Sequence, residues 1–168
     1  MLRTTALILA GTLALVGCAK KPAAKDPTSD LETTSGRMKR SNVNVSEDLK
    51  KLCNITIGNA DRAPKFDFDE AALLPEDRDL LEQVAKCVTT GPLKGRNLGL
   101  IGRADPRGET EYNLVLGTHR ADAVRDYLAH LGVAENRIAQ TSRGELDAEG
   151  KDEDGWRRDR RVDVNLQE

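Results

Sequence analysis

The chain has 168 residues, with 26 Lys and Arg against 28 Asp and Glu, a formal net charge of −2. That length supports one domain with a modest core rather than two. The charge balance offers no basic field for nucleic acid, so nucleic-acid binding is set aside.

Taken from the N-terminus, Arg3 is followed by an unbroken run of apolar and small residues from 6 to 16. This is the layout of a secretory signal peptide over residues 1–17, and the run is too short to span a bilayer, which needs about 20 apolar residues. It ends in Leu15-Val16-Gly17-Cys18, which looks like a bacterial lipobox. Cleavage there would leave Cys18 first, with acyl chains on its thiol and amine, and several chains anchor stably where one would be marginal. The alternative is ordinary export with a chance cysteine. Ala19 stands where inner-membrane retention would place an aspartate, which favours the outer membrane. Residues 18–47 are rich in Lys, Pro, Ala, Ser and Thr, show no sustained period, and read as a lipidated N-terminus followed by a flexible linker spanning about 30 Å as a coil.

The folded domain is expected over residues 48–168. Leu49, Leu52 and Cys53 follow helical spacing after Ser46-Glu47-Asp48, a capped helix start. Lys65-Phe66-Asp67-Phe68-Asp69 alternates as a half-buried strand does. Pro75-Glu76-Asp77 opens a helix with proline and acids in its first turn, and Leu80, Leu81, Val84 and Val88 form its apolar stripe. Thr90-Gly91-Pro92 ends it. Residues 97–102 read as a strand that runs into the loop Arg103-Ala104-Asp105-Pro106-Arg107-Gly108. A long helix over residues 110–131 carries Leu114, Gly117, Ala121, Val124 and Leu128 on one face and stops at Gly132. Residues 136–142 form a further strand, residues 144–155 a polar excursion, and residues 161–166 a closing strand of strict alternation. The order βαβαββ describes an α+β domain of two layers. With Cys18 carrying lipid, Cys53 and Cys87 remain as an even pair in an oxidising compartment. A disulfide is the natural reading, and two buried free cysteines are the alternative. Neither has a Cys or His at ligand spacing, so no metal is expected.

One stretch carries most of the information, Gly102-Arg103-Ala104-Asp105-Pro106-Arg107-Gly108, then Tyr112-Asn113, Leu116-Gly117 and Arg120-Ala121. With Phe66-Asp67-Phe68 and Leu74-Pro75 before it, and Tyr127-Leu128, Gly144-Glu145 and Arg160-Arg161-Val162 after it, it resembles the OmpA-like family, in particular its branch of peptidoglycan-associated lipoproteins. The resemblance covers about 120 residues. It implies helices packed on one face of a mixed sheet, and a domain that holds peptidoglycan by the diaminopimelate of its peptide stem. That ligand ends in an ammonium and a carboxylate. Asp105 matches the family aspartate that accepts from the ammonium, and Arg120 the helical arginine that grips the carboxylate through parallel hydrogen bonds.

Asn113, Gly117 and Arg120 share a helix face at steps of four and three. Gly117 removes a side chain where a ligand or backbone approaches, and Asn113 either supports the ligand or bonds to the loop. Arg160 or Arg161 would add a second cation, and strand alternation puts them on opposite faces. Tyr112, Tyr127 and Trp156 read as packing residues, and His119 and His130 as exposed. Two departures from the family pattern are Arg103, where relatives carry histidine, and Asp159, where they carry asparagine; a pair between the two would compensate.

Catalysis is not expected. Glycoside hydrolysis needs two carboxyl groups, one in an apolar setting, and none is marked so. Zinc amidase chemistry needs a His set that two histidines on one helix do not supply, and no Ser or Cys has a recognisable base. No cofactor is implied. The expected partners are peptidoglycan and, through the lipid, the outer membrane, with the domain facing the periplasm. The alternative reading is a protein-interaction module that docks a TolB-like β-propeller partner of a Tol-type complex.

Overall fold

Two long periodic segments dominate the structure, a computed structural model that describes residues 43–56 and 66–167. Helix α2 (Pro75–Thr89) buries Leu80, Leu81, Val84 and Val88, the stripe read from its spacing. The Asp77 carboxylate accepts the Leu74 N–H at 2.7 Å, which satisfies a donor exposed at the helix start. Helix α3 (Thr110–His130) buries Ala121, Val124 and Leu128. It ends as Gly132 takes φ +90°, a left-handed turn that suits glycine.

These helices cover a four-stranded sheet. Its strands are β1 (Val43–Val45), β2 (Asn97–Arg103), β3 (Ile138–Gly144) and β4 (Val162–Gln167), in the spatial order β1-β4-β2-β3. The outer pairs β1/β4 and β2/β3 are parallel, while the central pair β4/β2 is antiparallel, with Leu100 opposite Val164 and Gly102 opposite Val162. Period-two alternation does the rest. Val43, Val45, Leu98, Leu100, Val162 and Val164 all turn into one core with Leu81, Val84, Val124 and Leu128. Asp163 points to the opposite face.

Helix α3 lies unusually close to strand β2. A methyl group added at Gly102 would sit 1.7 Å from the Gly117 carbonyl oxygen, and one added at Gly117 would sit 2.3 Å from the Ser142 hydroxyl. This pair of glycines sets the height of α3 above the sheet. Near the N-terminal side, helix α1 (Glu47–Cys53) ends with Asn54 at φ 50°. It is joined to α2 by a Cys53–Cys87 disulfide with Cα atoms 5.6 Å apart. Closing a loop across 34 residues removes roughly 4 kcal/mol of unfolded-state freedom in the chain-entropy account.

The structure corrects three local readings. Strand β1 falls inside residues 18–47, which the sequence presents as linker. The polar excursion contains helix α4 (Glu153–Asp159), whose N-cap Asp152 accepts the Gly155 N–H at 2.8 Å. The expected strand over residues 65–69 is a bend and turn where described: Phe66 is buried, Phe68 is 60% exposed, and Asp69 has φ 62°. Its alternation does not reach a ladder because side chains take its carbonyls instead. Arg160 donates to Phe66 O, and Arg120 to Asp67 O and Glu70 O. The signal peptide, Cys18 and most of the expected linker lie outside the described residues.

Candidate functional site

The site forms where β2 ends and β4 begins, at one end of the central pair of strands. Ala104 N–H donates to Gly144 O at 2.8 Å, which turns the chain so that Asp105 faces inward, 4% exposed. Gly108 closes the loop at φ +98°. From α3, the Asn113 amide donates to the carbonyls of Asp105 and Arg107 at 3.2 and 3.0 Å and to the Glu145 carboxylate. Asn113 therefore fixes the shape of the loop, the second of the two roles expected for it.

Arg120 is fully buried. Its Nε donates to Glu70 O at 2.8 Å, Nη1 to Arg103 O at 2.9 Å and Nη2 to Asp67 O at 3.3 Å, and its guanidinium lies over the Phe66 ring at 4.9 Å. Burial and the neighbouring Arg160 push it down to about 10, still charged at neutral pH. Arg160, 3% exposed, points inward. Its Nη1 donates to Asp105 Oδ2 at 2.9 Å, Nε to Phe66 O at 2.6 Å and Nη2 to Glu153 Oε1 at 2.9 Å. Burial pushes the Asp105 carboxyl up, but hydrogen bonds from Arg107 and Arg160 outweigh it and hold the group below its usual range.

Asp105, Arg120 and Asn113 line one open pocket of about 70 Å³ with Phe68, Asp69, Arg107 and Tyr112. Two expected residues lie elsewhere. Gly117 faces β2, where its missing side chain admits the Gly102 backbone rather than a ligand. Arg161 turns the other way and donates to Asp163 Oδ1 at 3.0 Å. The pairing of Arg103 with Asp159 does not occur: Arg103 donates to Asp163 and Asp147, while Asp159 accepts the N–H groups of Glu149 and Gly150 at 3.2 and 2.9 Å. The residue that the sequence hid is Arg107. It pairs with both oxygens of Asp105 and is stacked between Phe68 and Trp156. An Asp-x-Arg turn is its sole signal. Tyr112, read as packing, is 52% exposed at the pocket rim and donates to Asp69.

Residues 65–161 match the OmpA family. Outer membrane protein A of Bordetella avium is 37% identical over 103 residues, which cover 60% of this chain and 52% of that protein, so the chain spans about half of its length. The peptidoglycan-associated lipoprotein of Pseudomonas putida is 33% identical over 168 residues, 95% of this chain and 93% of that one. Among solved structures, the peptidoglycan-associated lipoprotein from Burkholderia pseudomallei superposes with a TM-score of 0.57 at 36% identity, covering 65% of this chain and 98% of its own. Family match, fold and site motif agree: the chain belongs to the OmpA family, in the branch of the peptidoglycan-associated lipoproteins.

Proposed function

We propose that the chain is an outer-membrane lipoprotein whose periplasmic domain binds peptidoglycan without cleaving it, by clamping the diaminopimelate end of a stem peptide. The observation that carries this reading is a buried carboxylate and a buried guanidinium lining one small open pocket, Asp105 and Arg120. An amino-acid terminus needs one fixed anion and one fixed cation a few Å apart. Three of the five N–H groups of Arg120 are held by backbone carbonyls, which fixes its position and leaves two for a ligand carboxylate. Charge-assisted bonds of this kind contribute about 1.5–3 kcal/mol each when shielded from water. Arg160 supports the clamp from behind by orienting Asp105.

Acyl chains on Cys18 hold the membrane, residues 19–42 bridge to the domain, and the domain grips the wall. Affinity at one site need not be high, because many copies act on one repeating polymer. The test is co-sedimentation of full-length protein in detergent with purified sacculi, competed by free meso-diaminopimelate. Wild type pellets and is released by the competitor, while Asp105→Ala stays in the supernatant with unchanged circular dichroism. Wild type that fails to pellet would overturn the reading and put docking of a TolB-like β-propeller protein in its place.

A further inference from the structure

The Asp105 carboxylate is already full. Oδ1 accepts the Arg107 backbone N–H at 3.1 Å and Nε at 3.0 Å, and Oδ2 accepts Arg107 Nη2 at 2.8 Å and Arg160 Nη1 at 2.9 Å. A carboxylate offers about four acceptor sites. No seat is left for the ammonium of a ligand until one donor leaves.

The two arginines are not equally free to go. The Arg160 side chain is 3% exposed and tied to Phe66 O and Glu153 as well. That of Arg107 is 33% exposed, and its other ionic partner is Glu153 at 3.4 Å, itself 47% exposed. The Arg107 guanidinium carbon lies 4.5 Å from the centre of the Phe68 ring and 4.3 Å from that of Trp156. A carboxylate with two aromatic faces beside it is a receptor for an organic cation, and the cation it holds here belongs to the chain itself.

We infer that Arg107 is a displaceable occupant of the ammonium seat, and that Phe68 and Trp156 are the walls of that seat. The inference rests on the peptidoglycan reading and assigns the residues that read the amine. Binding exchanges one cation for another at Asp105, so the carboxylate is paired before and after. A stem whose side-chain amine is acetylated brings no cation, and evicting Arg107 for it would leave Asp105 with half its partners. The seat therefore selects for a free amine, at the cost of a competing closed state.

The test titrates full-length protein in detergent with a soluble muropeptide whose stem ends in diaminopimelate. It uses calorimetry for affinity and the emission of Trp156, the sole tryptophan of the chain, for the sandwich. Arg107→Met keeps an unbranched side chain between the rings but removes the competing donors. It should bind about tenfold tighter than wild type, the gain expected when a closed state holding about 90% of molecules is removed. Arg107→Lys keeps a cation but loses the two-point pairing and the stacking, so it should bind between wild type and Arg107→Met. The amine-acetylated muropeptide should not bind wild type, and ligand should shift Trp156 emission in wild type. Equal or weaker binding by Arg107→Met, or wild-type emission unchanged at saturation, would overturn the exchange while leaving the peptidoglycan reading intact. No binding by either wild type or Arg107→Met would remove both.

Discussion

Two clusters of arginine and carboxylate flank the same sheet and use the same chemistry to different ends. Around Asp105, the guanidinium groups of Arg120 and Arg160 also reach the carbonyls of Phe66, Asp67 and Glu70, a segment with no strand ladder of its own. Around Asp163, on the face away from α2 and α3, carboxylates and arginines mostly satisfy one another. Asp163 accepts from Asn44, Arg161 and Arg103, and Asp147 accepts from Arg103 and Arg143. The second cluster draws Asn44, Arg103, Arg143 and Asp163 from four strands whose backbones pair with one another. The first holds irregular backbone in place and includes one loosely held member. The candidate site is thus the cluster on which the surrounding chain depends and which has one loosely held member.

The largest expected effect separates the clusters by stability. Arg120→Ala strips three backbone carbonyls of their donors and should cost about 3–5 kcal/mol in chemical denaturation, with faster amide exchange in residues 66–70. Arg161→Ala should cost under about 1 kcal/mol. Equal losses would erase the distinction.

The next comparison sets carboxylate against carboxylate. Asp105→Asn and Asp163→Asn should each lose about 1–3 kcal/mol, since both are buried and accept several bonds. Sacculus co-sedimentation should disappear only in the first. A smaller effect follows from pH. Burial raises Asp163, while Asn44, Arg161 and Arg103 lower it further, so both aspartates lie below their usual value of 3.8 in the folded protein. A depressed carboxyl stabilises fully above its unfolded pKa and loses that contribution as pH falls through the folded one. Stability should thus be level with respect to these groups from pH 7 to about 5 and fall below about pH 4. Asp163→Asn should reduce the acid slope in urea titrations without altering the pH at which wall binding is lost. The smallest change is Arg143→Ala, an exposed partner of Asp147 four residues away, where the denaturation midpoint should not move measurably.

The long elements were legible because burial repeats itself: α2, α3, β2 and β4 each present an apolar period over six or more residues. Val43-Asn44-Val45 is too short for a period to show. Its role comes from pairing with β4, more than a hundred residues away. Helix α4 buries little apolar surface, so its cap at Asp152 and the acids after it were the available signals. Residues 65–69 misled for the opposite reason, since the alternation is real but guanidinium groups supply what a neighbouring strand would have supplied. At the site, Asp105 and Arg120 were legible through a family motif rather than through periodicity. The inward turn of Arg160 depends on where β4 starts. Nothing in an Asp-Pro-Arg-Gly loop announces that the arginine folds back onto the aspartate two residues before it.

The disulfide gains a further meaning if the protein carries load between a membrane and a wall. Strand β1 runs parallel to β4 and begins beside Val162, near the end of the sheet that holds the candidate pocket, so pulling from the N-terminal side strains β1 first. Its three residues can peel, and α1 after them, but unravelling arrests at Cys53, which is bonded to α2. Residues 43–52 would then pay out at most about 35 Å of slack. The covalent link works as a stop: Val43, Val45 and Leu49 would leave the core under a sudden pull, while α2 and the elements that follow it keep their covalent tie to the chain before them.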